Sequence, residues 1–241
     1  MGVGSFIHYV GTFFLLVSTV LLIIADISAP VIDHISFLRA EVGQNDVYYG
    51  NWGWCIDGQI QGQTANQWSC SGSSIGYNVE VPLNLASGSS NEIEISDARE
   101  ATIRGLTHVM ILHPIATVLL FIAFLLALGT NTVGSLISAI ISGLGFLVTA
   151  VALICDFVGF SLLRRRIRDA NYLGSTAVYG SAMWCVLAAA CLSLIATILV
   201  FVTCCAGRRK ARREHVHKES WNAGPPPATY PNRRRYFWQR R

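Results

Sequence analysis

Two cysteines, Cys55 and Cys70, are the residues of this sequence whose type and spacing point most directly to a reaction, the formation of a disulfide. The other five of the seven cysteines lie in or beside apolar runs, where a thiol usually behaves as a small hydrophobic group. A pair in a long polar segment is typical of a structural disulfide if the compartment is oxidising. The alternative is a metal site, although two thiols with no histidine between them supply only half of a tetrahedral zinc shell. The sequence favours the disulfide.

Four ionisable residues lie in or at the ends of apolar runs, where such groups are costly and often functional. They are Asp26, His108, His113 and Asp156. The topology derived below places all four at a similar depth, so one hypothesis is a polar cluster in which histidine protonation reports external acidity. The alternative, which the sequence favours, is that each residue only caps a helix end at the membrane interface.

Four arginines follow the third apolar run: Arg164, Arg165, Arg166 and Arg168. One interpretation is a patch for anions or lateral contacts. It would bind the acidic exterior segment of a neighbouring copy, an anionic cell-wall polymer or lipid headgroups. The other is an ordinary solvated charge run. Further along the chain, Cys204 and Cys205 precede a basic run, a pattern typical of palmitoylation and of contact with anionic lipid.

The elements that position these residues follow from composition. The chain has 241 residues, of which 52% are hydrophobic and 13% are charged, against about 25% charged in an average soluble domain. Four apolar runs each reach the roughly 20 residues that a helix needs to cross a bilayer. We therefore predict spanning helices over residues 6–29, 108–128, 133–163 and 177–206. The first run could also be read as a signal peptide, but no Lys or Arg precedes it, so we interpret it as a helix.

The distribution of positive charge predicts the orientation. Six of the 18 Lys and Arg residues lie just after the fourth run, which places that end in the cytoplasm. The arginines after the third run oppose this assignment, because they would then lie outside. The predicted topology has a cytoplasmic N-terminus (1–5), turn (129–132) and basic tail (207–241), and exterior loops at 30–107 and 164–176.

The first exterior loop contains nine acidic residues and three arginines, a net charge of −6. Three of its segments are rich in β-branched and aromatic residues and are bounded by Gly, Asn and Ser, as strands are. They read DVYYGNWGWC, QTANQWSCSGSS and IGYNVEVPL. Within the first, Trp52 and Trp54 would share one side of a strand and lean on the membrane surface. The alternative to a small sheet is an unstructured loop with chance aromatics.

The order GNWGWC, a gap, and then Cys-x5-Gly-Tyr resembles the fungal Sur-seven/PalI family of claudin-like plasma-membrane proteins. The residues that carry the resemblance, besides the two cysteines, are Gly50, Trp52, Gly53, Trp54, Gly76 and Tyr77. The resemblance implies a membrane α-helical fold: a four-transmembrane-helix bundle with a disulfide-stapled antiparallel β-sheet in the first extracellular loop. It also implies a multi-pass plasma-membrane protein.

Two functions follow from the resemblance. The first is a structural protein that assembles laterally, organises membrane domains such as eisosomes, and affects cell-wall integrity and the stress response. The second is a PalI-type accessory of ambient-pH signalling, which would act with a separate membrane protein. A channel or transporter ranks third, because few charged groups lie in the middle of the apolar runs.

Enzyme activity is not expected, because the sequence contains no phosphate-binding glycine loop, nucleophile elbow or HExxH motif. We expect no cofactor and no metal. The expected partners are the lipid bilayer, further copies of the chain, anionic lipid at the tail and a membrane protein partner. Nucleic acid is not expected, since lipid is the nearer anion for the basic tail.

Overall fold

In the part of the chain that the structure describes, four helices are long and apolar enough to cross a membrane. They cover Phe6–Asp26, Thr107–Leu128, Gly134–Arg168 and Ser181–Cys205, which confirms the predicted number of spans. The computed structural model describes residues 3–58, 67–87, 105, 107–129, 132–169 and 175–222.

The membrane part is a bundle built from helices α1 (Val3–Asp26), α3 (Leu112–Leu128), α4 (Thr132–Asp169) and α5 (Ser181–Asn222). Small polar side chains join neighbouring helices. The Ser18 hydroxyl of α1 donates to the Ala189 carbonyl of α5 over 2.9 Å, and Ser138 of α4 donates to Ala123 of α3 over 2.7 Å. Such bonds form only where small residues allow the backbones to approach closely.

A five-stranded antiparallel sheet lies at one end of the bundle. Its strands are β1 (Leu38–Val42), β2 (Asn45–Tyr49), β3 (Trp54–Gly58), β4 (Gln67–Cys70) and β5 (Thr176–Tyr179). Their order is β4-β3-β2-β1-β5, so the strand that precedes α5 pairs with the first strand of the segment between the first two spans. Because β5 lies between the last two spans in the chain, these spans are connected to the same sheet as the first span.

The two faces of the sheet differ in composition, as alternation along strands requires. The inner face is buried and shares one hydrophobic core with the helices; it includes Leu38, Ala40, Val47, Tyr49, Trp54 and Ile56. The opposite face, which we call the outer face, contains Arg39, Glu41, Asp46, Tyr48, Cys55, Asp57, Trp68, Cys70, Thr176 and Val178.

The structure corrects the predicted boundaries of the sheet. The third segment, IGYNVEVPL, is not a strand, because helix α2 (Glu80–Ser87) begins within it. The Asn78 side-chain oxygen accepts a hydrogen bond from the Glu80 amide at 2.9 Å, as a helix cap does. Strands β1 and β5 were missed, and β5 occupies the first residues of the predicted fourth helix.

The helix boundaries also differ from the prediction. The first helix ends at Asp26 rather than residue 29. The third extends to Asp169, so the four arginines lie on its last turns and not in a loop. The fourth begins at Ser181 and continues to Asn222, well past the apolar run. Arg, Lys, Ala and Glu, which dominate that continuation, are all good helix formers.

Candidate functional site

The candidate site is the junction between the sheet and the adjacent ends of α1, α3 and α4. Its best-defined bond is the Cys55–Cys70 disulfide, which links directly opposed residues of β3 and β4. The predicted disulfide is therefore confirmed. The Asp33 carboxylate lies 3.7 and 3.6 Å from the two sulfur atoms. Because both sulfurs are bonded to each other, neither is a thiolate that would bind a metal.

The glycines and tryptophans of GNWGWC connect this stapled sheet to the end of α1. The Gly50 amide donates to the Gly53 carbonyl over 2.8 Å, closing a tight turn between β2 and β3. At the tip of that turn, the Trp52 indole N–H donates over 2.8 Å to the carbonyl of Asp26, the last residue of α1. Helix ends leave such carbonyls without partners, so this tryptophan caps the helix.

The prediction that both tryptophans lean on the membrane from one side of a strand is wrong. Trp52 lies in the turn, and Trp54 is only 9% exposed on the inner face of the sheet. The two residues therefore have different roles, one as a helix cap and the other as part of the core.

Gly50 is the position of the motif where a side chain is least tolerable. A Cβ atom there would overlap the backbone of Ala29, which cannot rotate away as a side chain can. We expect Gly50→Ala to lower the free energy of unfolding by about 1–3 kcal/mol. Thermal unfolding of the purified chain in detergent measures this. Gly72→Ala is the matched control, because a Cβ at Gly72 meets no atom within 4 Å. Equal melting temperatures for the two variants would contradict the assignment.

The second half of the motif, Gly76 and Tyr77, contacts the same turn. Gly76 has φ +70°, a conformation that favours glycine. The Tyr77 hydroxyl donates to the Gly50 carbonyl over 2.8 Å. Burial raises the pKa of the Tyr77 phenol, and the nearby Asp156 carboxylate raises it further. The phenol therefore stays protonated and remains a hydrogen-bond donor.

Three of the four ionisable residues proposed as a polar cluster lie together beneath the sheet. His113 Nε2 and Asp156 Oδ2 are 2.8 Å apart, with both side chains almost fully buried. The Thr117 hydroxyl lies 2.7 Å from Asp26 Oδ2 and 2.9 Å from the His113 carbonyl oxygen. His108 is not part of this group: it is exposed and lies against Gly76.

The cluster also contains a buried histidine nitrogen and adjoins a small cavity. His113 Nδ1 is buried without a hydrogen-bond partner in the described part of the chain. A cavity of about 20 Å³ adjoins Asp156 and is lined mainly by apolar side chains, Met110 and Phe160 among them. That volume is enough for one water molecule. Thr117 was not predicted to belong to the cluster, because a threonine in an apolar helix does not by itself indicate a functional site.

The four arginines lie on the sheet side of the bundle, since β5 follows directly after them in the chain. The Arg164 guanidinium carbon is 5.3 Å from the centre of the Tyr179 ring, a cation–π contact. Arg165 and Arg168 are exposed and Arg166 is half-buried. Within the described ranges, none of the four forms an ion pair.

Cys204 and Cys205 lie at the opposite end of the bundle, on α5. Cys204 is buried and Cys205 is half-buried. The basic side chains that follow them lie outside the part of the chain whose side chains are described, so the predicted contact with anionic lipid stays a prediction.

Four spanning helices with a disulfide-stapled antiparallel sheet at one end define a claudin-like four-span membrane protein. The SUR7/PalI family model matches residues 7–196, which is most of the chain, and the protein belongs to that family. No curated protein sequence matches the chain.

Proposed function

We propose that this protein is a structural component of the plasma membrane that assembles laterally and organises membrane domains, and thereby affects cell-wall integrity and stress resistance. Membership of the SUR7/PalI family supports this proposal. The observation that carries it is an apolar surface outside the membrane spans, which a single copy would leave exposed to water.

That surface lies on α2. The helix buries Pro82, Leu83 and Ala86 against the sheet, while Val81 and Leu85 point away from it and are 43% and 39% exposed. Residues four apart share one face of a helix, so the two exposed side chains form a single apolar ridge. A neighbouring protein could cover this ridge and remove its apolar surface from water. A second copy of this chain is the partner we propose.

The test is the lateral mobility of a tagged copy in living cells. We expect the wild-type chain to form stable, slowly exchanging patches, and the double variant Val81→Glu/Leu85→Glu to spread into a mobile pool. Val31→Glu is the matched control, since Val31 is also an exposed apolar residue on the sheet side but is not on α2. Unchanged patches in the double variant would exclude this surface as the contact.

The second candidate function is an accessory role in ambient-pH signalling, supported by the His113–Asp156 pair buried under the sheet. A histidine is charged only when it is protonated, and Asp156, Asp26 and the sheet above would respond to a change in that charge. In this case the tagged protein would be diffuse and mobile, and would redistribute only after a shift to alkaline medium. His113→Gln should abolish that redistribution and His108→Gln should not. A response that persists in His113→Gln would exclude the histidine as the sensor.

A further inference from the structure

We propose that the outer face of the sheet binds a chain of amino sugars whose amines are protonated. The proposal concerns a surface that the disulfide, the helix junction and the α2 ridge do not use. It does not depend on lateral assembly, so either proposal can fail without the other.

The first observation is an aromatic cluster at the β4 edge of this face. The Trp68 ring lies 5.3 Å from the Tyr48 ring and 5.1 Å from the His34 ring, measured between centroids. Tyr48 is buried behind this contact, whereas Trp68 is 37% exposed. Tyr48 and His34 hold the Trp68 indole in place, and part of the ring is exposed to solvent. Binding a ligand to this flat apolar surface would therefore cost little side-chain entropy. The C–H face of a pyranose ring stacks on such a surface.

The second observation is a row of carboxylates that leads to this indole. Glu41, Asp46 and Asp57 lie directly opposite one another on β1, β2 and β3, and Asp57 lies opposite Trp68. Adjacent strands are about 4.8 Å apart, so the Cα atoms of these three residues repeat at about that interval across the sheet. This interval is close to the length of one sugar unit in an extended chain.

The charge of the surface indicates which sugars fit. Arg39 is shared between two of the carboxylates, with its Nη2 atom 2.7 Å from Asp46 and 3.7 Å from Glu41. Asp57, next to the exposed indole, has no ion-pair partner among the described residues. Together with Asp33 beside the disulfide, four carboxylates face one arginine, a net charge of −3. A neutral sugar would leave this charge unmatched, whereas a chain that carries ammonium groups would match it.

The test uses the full chain, purified with its disulfide intact and held in lipid nanodiscs at mildly acidic pH. The probes are three hexasaccharides of equal length: β-linked glucosamine, β-linked N-acetylglucosamine and β-linked glucose. Titration calorimetry should show binding of the glucosamine chain that weakens as salt is added. We expect the N-acetylated and glucose chains to bind at least about tenfold more weakly.

Three variants locate the site. Trp68→Ala should weaken glucosamine binding about tenfold, through loss of the stacking surface. Asp57→Asn should weaken it about threefold and reduce its salt dependence. Ile75→Ala is the matched control: Ile75 is exposed but is not on the outer face, and its affinity should match the wild type. Unchanged melting temperatures and an intact disulfide show that the variants are folded.

Equal affinity for the glucosamine and N-acetylated chains would overturn the proposal, because the carboxylates would then not recognise the ammonium groups. It would also be overturned by wild-type affinity in Trp68→Ala, or by no detectable binding of the glucosamine chain.

Discussion

Asp156→Ala is expected to lower the free energy of unfolding by about 3–5 kcal/mol, because it leaves His113 buried without its hydrogen-bond partner. The loss is large because His113 has no exposed surface, so bulk water does not solvate the ring. His113 Nδ1 already lacks a partner among the described atoms, so the ring would lose the one side-chain bond that the structure gives it. Denaturant unfolding in mixed micelles measures the effect.

The control for this prediction is a variant that removes both partners. His113→Leu/Asp156→Leu replaces two buried polar groups by apolar ones, which often costs little because no buried polar group is left unpaired. The double variant should therefore be more stable than Asp156→Ala. If the double variant is as unstable as the single one, packing at these positions matters more than the bond between them.

The second large loss of stability is expected when the disulfide is removed. Cys55→Ser/Cys70→Ser should lower the free energy of unfolding by about 3 kcal/mol, since the bond closes a loop across a sequence separation of 15 residues. The effect should concentrate in the sheet, because β4 lies at its edge and, among the described strands, pairs only with β3. Hydrogen exchange of the β4 amides would then rise while exchange in the bundle changes little.

The matched control for the disulfide is Cys191→Ser. Cys191 is an unpaired cysteine exposed on α5, so this variant should stay within about 0.5 kcal/mol of the wild type. Comparable losses in the two cysteine variants would show that sensitivity to serine is general and not specific to the bond.

The membrane spans and the disulfide could be predicted from sequence because their signals are local. An apolar run of spanning length has few alternative structures, and two cysteines in a polar segment have few alternative partners. Strand β5 could not be predicted in this way. Its four residues, TAVY, are continuous with an apolar run, and they form a strand because β1 offers an unpaired edge that is distant in sequence.

Most residues of the candidate site could be predicted from the sequence, but the contacts between them could not. The positions of Asp26, His113 and Asp156 near helix ends were visible as ionisable residues in apolar runs. His108 lies four residues before the start of α3, so its position apart from the other three depends on the turn that precedes this helix, which the sequence pattern does not reveal. The roles of Trp52 and Trp54 depend on where β2 ends, which Gly50 and Gly53 determine by turning the chain between them.

The pairing of β1 with β5 also fixes the order in which the protein is completed during its synthesis. A chain made from its N-terminus produces β1 to β4 long before residues 176–179 leave the ribosome. Until then the free edge of β1 is open to pairing with other chains, a known route to aggregation. Only insertion of the third span delivers the strand that covers this edge. Completion of the sheet therefore depends on the third span, which must be made before the strand that covers this edge.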